Sequence, residues 1–304
     1  MSIRYGVIGT GALGGFYGGM LSKSGREVHF LFRGDYEYVR ENGLRVDSVT
    51  GDFHLRKVAA YANTSEMPAC DVVLVCIKTT GNRQLPELLQ PLLRDGTIVL
   101  LLQNGLEVEN DLAEELPGVE IAGGLAFICS QKTAPGHIKH LDYGRLNIGS
   151  YSVKSTAVLH QVIEDFRAAG VSAEFSPDLS FARWQKLVWN IPFNGLTVVM
   201  NTTTDRLVGN ETMRSLAWEI MLEVIHGANH CGVALKESLA QKMIDQTLTM
   251  TPYAPSMKLD YDYRRPMEIE HIYSRPVRAA ARAGFETRRI AMLEKQLRFM
   301  EESF

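Results

Sequence analysis

A glycine-rich segment near the start of the chain constrains the fold more than any other feature. Residues 3–8 form a short apolar run that leads directly into Gly9-Thr10-Gly11-Ala12-Leu13-Gly14, and a helical pattern follows. In such strand–loop–helix units the first glycine permits a tight turn, the second lets the backbone approach a pyrophosphate, and the third lets helix and strand pack closely. The pattern alone also fits a structural glycine turn. Its place between a strand and a helix, with another strand predicted at residues 28–32, favours dinucleotide binding.

The residue that follows the second predicted strand indicates which cofactor binds. NAD-specific sites carry an acidic residue there, which accepts a hydrogen bond from the ribose 2'-hydroxyl. This chain instead has Arg33, and a guanidinium offers two parallel donors to a 2'-phosphate. A surface arginine in a turn is the alternative. The sequence therefore predicts NADPH.

Two nearly continuous apolar runs, residues 71–77 and 97–102, are typical of parallel strands buried on both faces. Polar residues follow each of them, Lys78 after the first and Gln103-Asn104 after the second. Ligands of such sheets bind at the carboxyl ends of the strands, so we predict that Lys78 and Asn104 contact the cofactor. Both residues are also compatible with simple strand ends. Further strands are predicted at 120–127, near 137–140 and 145–148, and at 171–175, with a helix at 156–168.

Ser176-Pro177-Asp178 separates two kinds of pattern. Beyond it we find helical periodicity at about 212–231, 236–247, 268–283 and 291–299, with almost no strand signal. The predicted fold class is therefore α/β: residues 1–176 form a Rossmann-type dinucleotide-binding domain, and residues 177–304 form an all-α domain.

The helix predicted after this boundary carries a polar stripe. Lys186, Asn190 and Asn194 recur at every fourth position, while apolar residues cover the other faces. Buried polar groups without partners cost roughly 2 kcal/mol each, so the three either meet partners or line a wet cavity. Pro192 is expected to kink the helix because it frees the carbonyl of Val188. Taken alone, the stripe is more often structural.

Composition restricts the class of protein. The 304 residues carry a formal charge of -3, contain no long run of one charge sign and are 45% hydrophobic, which favours neither nucleic acid nor a membrane as partner. The chain shows no leader and no apolar run long enough to span a bilayer, so we expect a cytoplasmic protein that binds a small molecule. Four scattered cysteines are expected to be reduced: Cys70, Cys76, Cys129 and Cys231. His226 and His230 have metal-ligand spacing, but no third ligand is evident, so no metal is predicted.

Together these motifs resemble the ketopantoate reductase (2-dehydropantoate 2-reductase) family over essentially the whole chain. The matching segments, besides the glycine loop, Arg33, Lys78 and Gln103-Asn104-Gly105, are the helix from Lys186 to Thr197, Ser256-Met257 and Met267-Glu268-Ile269. The glycine loop alone fits many dehydrogenases, whereas K-x-x-x-N-x-x-x-N followed by S-M and then E-I is characteristic of this family.

The resemblance implies NADPH in the first domain and a second domain like the C-terminal domain of 6-phosphogluconate dehydrogenase. It further implies a cleft between them, where 2-dehydropantoate is reduced to (R)-pantoate on the route to pantothenate and coenzyme A. By similarity Lys186 is the general acid, and the substrate-binding residues are Lys186, Asn190, Asn194, Ser256 and Glu268. The family resemblance is compatible with either a monomer or a homodimer.

Three departures from the family pattern bear on the substrate. Tyr253 replaces a frequent asparagine, Tyr273-Ser274 replaces Asn-Gly, and Gly81 replaces a glutamine that commonly contacts the cofactor. We expect the altered tyrosines to face the substituents of the acid. A reductase of another 2-oxo acid therefore remains an alternative, as does a non-catalytic NADPH-binding redox sensor.

Overall fold

A computed structural model describes residues 3–252 and 254–304. Within them the chain divides into two compact units, one of residues 1–103 and 108–179 and one of residues 104–107 and 180–304. The predicted fold class, a Rossmann-type first domain followed by an all-α domain, is confirmed. No helix among the described residues is both long and apolar enough to cross a lipid bilayer.

The first unit is built on one mixed sheet. Its described strands are β1 (Arg4–Ile8), β2 (Glu27–Leu31), β3 (Leu44–Ser48), β4 (Phe53–Leu55), β5 (Ala59–Tyr61), β6 (Val72–Val75), β7 (Ile98–Leu101), β8 (Glu120–Ala134), β9 (His137–Ser150) and β10 (Ala173–Phe175). The order is β4-β3-β9-β8-β7-β6-β1-β2-β5, and β10 pairs with β9. The stretch from β8 through β7, β6 and β1 to β2 and β5 is parallel, whereas β9 runs antiparallel to β8.

Both faces of the central strands are buried, as the apolar runs predict. Alternate residues point to opposite faces, so Val72 and Leu74 join one apolar cluster while Val73 and Val75 join another. The first cluster is covered by helices α1 (Ala12–Lys23) and α5 (Thr156–Ala168), and the second by α3 (Leu85–Leu89) and α4 (Val108–Glu115). A short helix, α2 (Tyr36–Asn42), follows β2.

The second unit is helical. Its elements are α6 (Leu179–Val199), α7 (Thr204–Gly209), α8 (Glu211–His230), α9 (Ser238–Thr249), α10 (Ser256–Asp262), a π-helical turn (Glu270–Ser274) that continues into α11 (Arg275–Arg282), and α12 (Arg288–Glu301). Helix α8 packs against α7, α9, α11 and α12. Apolar residues of α6 from Leu187 to Val198 lie in the same core.

Candidate active site

The glycine loop connects β1 to α1, and each glycine has a distinct steric reason. Gly9 has a φ of 91°, and a Cβ there would lie 2.5 Å from the backbone nitrogen of Ile77. A Cβ on Gly14 would lie 2.4 Å from the carbonyl oxygen of Gly9. A Cβ on Gly11, by contrast, would meet nothing within 4 Å. Gly9 and Gly14 are therefore required by packing, whereas Gly11 leaves open space where a pyrophosphate can approach the backbone.

The other loop residues hold this geometry in place. Thr10 is buried, and its Oγ1 donates a hydrogen bond of 2.8 Å to the carbonyl of Leu31, at the end of β2. Ala12 and Leu13 are half-buried in the first turn of α1, where the free backbone N–H groups and the helix dipole favour an anion. Arg33 follows β2 and is exposed, so its guanidinium is accessible to a 2'-phosphate.

Lys78 and Asn104 follow the carboxyl ends of the paired parallel strands β6 and β7. Lys78 is half-buried. The Nε2 of Gln103 donates to the carbonyl of Ile77 at 3.0 Å and to Oδ1 of Asn82 at 2.5 Å, which fixes the strand ends beside Lys78. These groups fit the edge of a dinucleotide site.

The loop of residues 104–107 is attached to the helical unit. The Leu106 N–H donates to the carbonyl of His271 at 2.9 Å, and a Cβ on Gly105 would lie 2.4 Å from the Cβ of His271. Glu107, in the left-handed region at a φ of 63°, is ion-paired with Arg275 at 3.1 Å and Arg282 at 2.6 Å. Asn104, predicted as a cofactor residue of the first domain, thus groups with the helical unit.

The polar stripe on α6 is enclosed by the protein. Asn190 and Asn194 are 7% and 2% exposed, and Lys186 is half-buried. Burial, and to a smaller extent the neighbouring Arg183, lower the pKa of the Lys186 ammonium group to about 7, while Glu268 acts in the opposite direction. A lysine with such a pKa exchanges a proton readily near neutral pH, as a general acid requires.

Arg183 is a residue that the motif analysis missed. It lies three positions before Lys186 and seven before Asn190, so it extends the stripe by one helical turn, and it is 3% exposed. Its cationic group makes the neighbouring ammonium less stable, which explains its effect on Lys186. Arg183 could have been identified from the sequence by extending the stripe one helical turn towards the N-terminus of α6.

Glu268 lies two residues before the π-helical turn Glu270–Ser274 and is 5% exposed. The structure therefore brings a buried carboxylate into electrostatic range of Lys186. Ser256 is the first residue of α10 and is half-buried. A cation able to release a proton, two amides and a carboxylate can together hold and protonate a small oxygen-rich substrate.

The two tyrosine departures have different outcomes. Tyr253 lies outside the described residues. Tyr273 was expected to face the substrate, and this is wrong for its hydroxyl group: the side chain is fully buried, and the hydroxyl donates to the carbonyl of Ile191 at 2.9 Å. Gly81 lies in a 3-10 turn after Lys78.

The remaining candidates behave as structural residues. His226 pairs with Glu237 at 2.7 Å, and His230 stacks on Phe285 with ring centroids 4.7 Å apart. The described residues hold no cluster of three histidine, cysteine or acidic side chains suited to a metal ion. All four cysteines are free thiols.

Comparisons with known proteins show which family the chain belongs to. Residues 5–152 match the family model "Ketopantoate reductase PanE/ApbA", and residues 178–301 match "Ketopantoate reductase PanE/ApbA C terminal". A 2-dehydropantoate 2-reductase of Nostoc sp. is 47% identical over 98% of this chain and 95% of its own length.

Solved structures show the same likeness. The structure of a 2-dehydropantoate 2-reductase from Geobacter metallireducens matches with a TM-score of 0.95 and 42% identity, covering 98% of this chain and 99% of that one. One from Methylococcus capsulatus matches with a TM-score of 0.90 and 33% identity, covering 99% and 97%. The chain belongs to the ketopantoate reductase PanE/ApbA family of dinucleotide-dependent oxidoreductases.

Proposed function

We propose that this protein reduces 2-dehydropantoate to (R)-pantoate with NADPH, a step towards pantothenate and coenzyme A, and that Lys186 is the general acid. The observation that carries the proposal is the half-buried Lys186, whose pKa is lowered to about 7, on one helix with Asn190 and Asn194 and near Glu268. The names of the relatives supply the substrate.

The cofactor supplies the hydride when it is bound. Gly11 provides the open backbone for the pyrophosphate, and Arg33 the guanidinium for the 2'-phosphate. Gly9, Thr10, Ala12, Leu13 and Gly14 shape the loop, and Lys78 and Asn104 contact the rest of the cofactor. An arginine in place of an acidic residue after β2 supports NADPH over NADH.

The residues of the helical unit act on the ketone. As the carbonyl carbon gains hydride, its oxygen gains negative charge, and the Lys186 ammonium donates a proton to it and becomes a neutral amine. Asn190 and Asn194 donate hydrogen bonds to substrate oxygens and keep the ketone in one orientation. Ser256 donates to the carboxylate, and Glu268 accepts from the substrate hydroxyl.

Proton transfer of this kind contributes roughly 10²- to 10⁴-fold to a rate. The remaining acceleration must come from orientation, which makes the two asparagines as important as the lysine. The burial of both asparagines supports a role in orientation, because buried amides are held in fixed positions and retain little freedom to reorient.

A panel of 2-oxo acids tests the proposal. NADPH oxidation is followed with 2-dehydropantoate and with other branched or hydroxylated 2-oxo acids, each with NADH in parallel. We expect 2-dehydropantoate to give the highest kcat/KM. If another acid is strongly preferred, the proposed substrate is wrong, and if none is reduced while NADPH binds, a redox sensor replaces the enzyme.

A further inference from the structure

Tyr273 is a fully buried tyrosine in the π-helical turn that follows Glu268. Burial raises the pKa of its hydroxyl well above the usual value, so the group stays neutral and acts only through hydrogen bonds. Its ring lies in the apolar core of the helical unit. A buried hydroxyl needs a hydrogen-bond partner, and that of Tyr273 lies in the backbone of α6.

The hydroxyl contacts the backbone of α6 at two neighbouring positions. It donates a hydrogen bond to the Ile191 carbonyl at 2.9 Å and lies close to Gly195. A Cβ on Gly195 would lie 2.8 Å from this oxygen, so only glycine admits the hydroxyl at this position. Ile191 and Gly195 are the acceptor and donor of one i to i+4 helical hydrogen bond, and the tyrosine oxygen is placed at that bond.

This hydrogen bond lies within the polar stripe, since Ile191 follows Asn190 and Gly195 follows Asn194. Pro192, in the same turn, has no N–H and removes the preceding helical bond. The backbone between the two asparagines is thus weakly held by the helix itself. Where a side chain enters the hydrogen-bond ladder, the local direction of a helix changes.

The π-helical turn also holds other site segments. His271, two residues before Tyr273, accepts the Leu106 N–H at 2.9 Å and so holds the loop that begins at Asn104. Glu268 stands two residues before the turn. The π-helical turn therefore bonds to the loop of residues 104–107, follows Glu268 in the chain and contacts α6 through Tyr273.

We propose that Tyr273 is a positioning residue for the reaction: its hydroxyl, bonded to the Ile191 carbonyl and packed against Gly195, sets the direction of α6 at Asn194 relative to Asn190 and Lys186. This inference rests on the proposed function. Tyr273 does not touch the substrate through its hydroxyl but determines where Asn194 presents its amide. Without the hydroxyl, the Ile191 carbonyl keeps only its bond within α6, and the π-helical turn no longer fixes the direction of α6 through a hydrogen bond.

The test compares Tyr273→Phe with Tyr5→Phe. The control also removes a buried hydroxyl, which donates to Asp165 at 2.6 Å in the first unit. Both are assayed with the 2-oxo acid that the wild type reduces fastest, and their NADPH affinity is measured. The Gly195 amide is followed by NMR and hydrogen exchange, and a double-mutant cycle combines Tyr273→Phe with Asn194→Ala.

We expect Tyr273→Phe to lower kcat/KM roughly 10- to 100-fold, because a misplacement of about 1 Å has effects of this size, with NADPH affinity unchanged. Asn194→Ala should cost much less in the Tyr273→Phe background than in the wild type. The Gly195 amide resonance should shift, and Tyr5→Phe should leave kcat/KM unchanged.

A merely structural tyrosine gives a different result. Lower thermal stability of Tyr273→Phe with wild-type kcat/KM, or additive losses with Asn194→Ala, overturns the inference and leaves the proposed function intact. If the wild type reduces no 2-oxo acid, the proposed function is wrong. The Gly195 amide and the crystal structure of Tyr273→Phe then decide alone whether the hydroxyl orients Asn194.

Discussion

The pH dependence of the reaction follows from the surroundings of Lys186. Reduction needs the ammonium form, because only that form has a proton to give. Burial, reinforced by Arg183, lowers the pKa of this group to about 7. The active fraction is therefore complete at lower pH and is lost as pH rises through about 7.

The size of the effect can be calculated from this pKa. With a pKa of about 7 the ammonium fraction is about 0.76 at pH 6.5 and about 0.01 at pH 9, a fall of roughly 75-fold. A lysine with its ordinary pKa loses less than about 5% of its ammonium form over the same range. At saturating NADPH, kcat/KM reports the protonation state of the enzyme before the 2-oxo acid binds, so it should follow the roughly 75-fold fall of the ammonium fraction. The rate of the reverse reaction, oxidation of the alcohol, should rise over the same pH range.

Two neighbours of Lys186 should move this profile in opposite directions. Arg183→Met removes a cation that lowers the lysine pKa, so the midpoint should shift to higher pH. Glu268→Gln removes a carboxylate that raises it, so the midpoint should shift to lower pH, in addition to any loss of rate. The assay is NADPH oxidation over pH 6.5–9.5, and Arg33→Lys, altered on the cofactor side, is the matched control.

A flat kcat/KM profile in the wild type would refute this reasoning, since it would mean that the proton donor does not titrate in this range. Shifts of the same sign in both variants would show that their charges do not act on the donor.

Further predictions concern the cofactor site. Arg33→Ala should weaken NADPH binding about 10- to 100-fold, the usual worth of hydrogen bonds to a charged group, with little effect on NADH; equal losses in a fluorescence titration would remove the reason for choosing NADPH. Gly14→Ala places a Cβ 2.4 Å from the Gly9 carbonyl and should lower the melting temperature. Gly11→Ala places its Cβ in open space and should keep the melting temperature while weakening NADPH binding; normal affinity would exclude a pyrophosphate at this backbone.

The sequence predicted those elements whose patterns arise from local burial. The helix at 156–168 and the central strands β6 and β7 were identified because their apolar residues follow a clear period. Strands β3 to β5 were not predicted, since they lie towards the edges of the sheet, where half-exposed residues show no strong pattern. Strand β8 was predicted to end at 127 but continues to Ala134, because long antiparallel pairing with β9 supports its exposed second half.

Site residues that are regularly spaced along one helix could be predicted from the sequence. Those that depend on contacts between distant parts of the chain could not. The spacing of Lys186, Asn190 and Asn194 identified the stripe, and one more turn would have included Arg183. The sequence could not predict the hydrogen bond of Tyr273, because its acceptor Ile191 is 82 residues away and no periodicity links a side-chain hydroxyl to a distant backbone.

The central claim is that Lys186 protonates a 2-oxo acid while NADPH provides the hydride. The most direct measurement is NADPH oxidation with 2-dehydropantoate by the wild type and by Lys186→Ala, with NADPH affinity measured on both. We predict rapid turnover by the wild type and a loss of at least roughly 10²-fold in kcat for the variant, with unchanged NADPH affinity. A variant that turns over at the wild-type rate would contradict the claim.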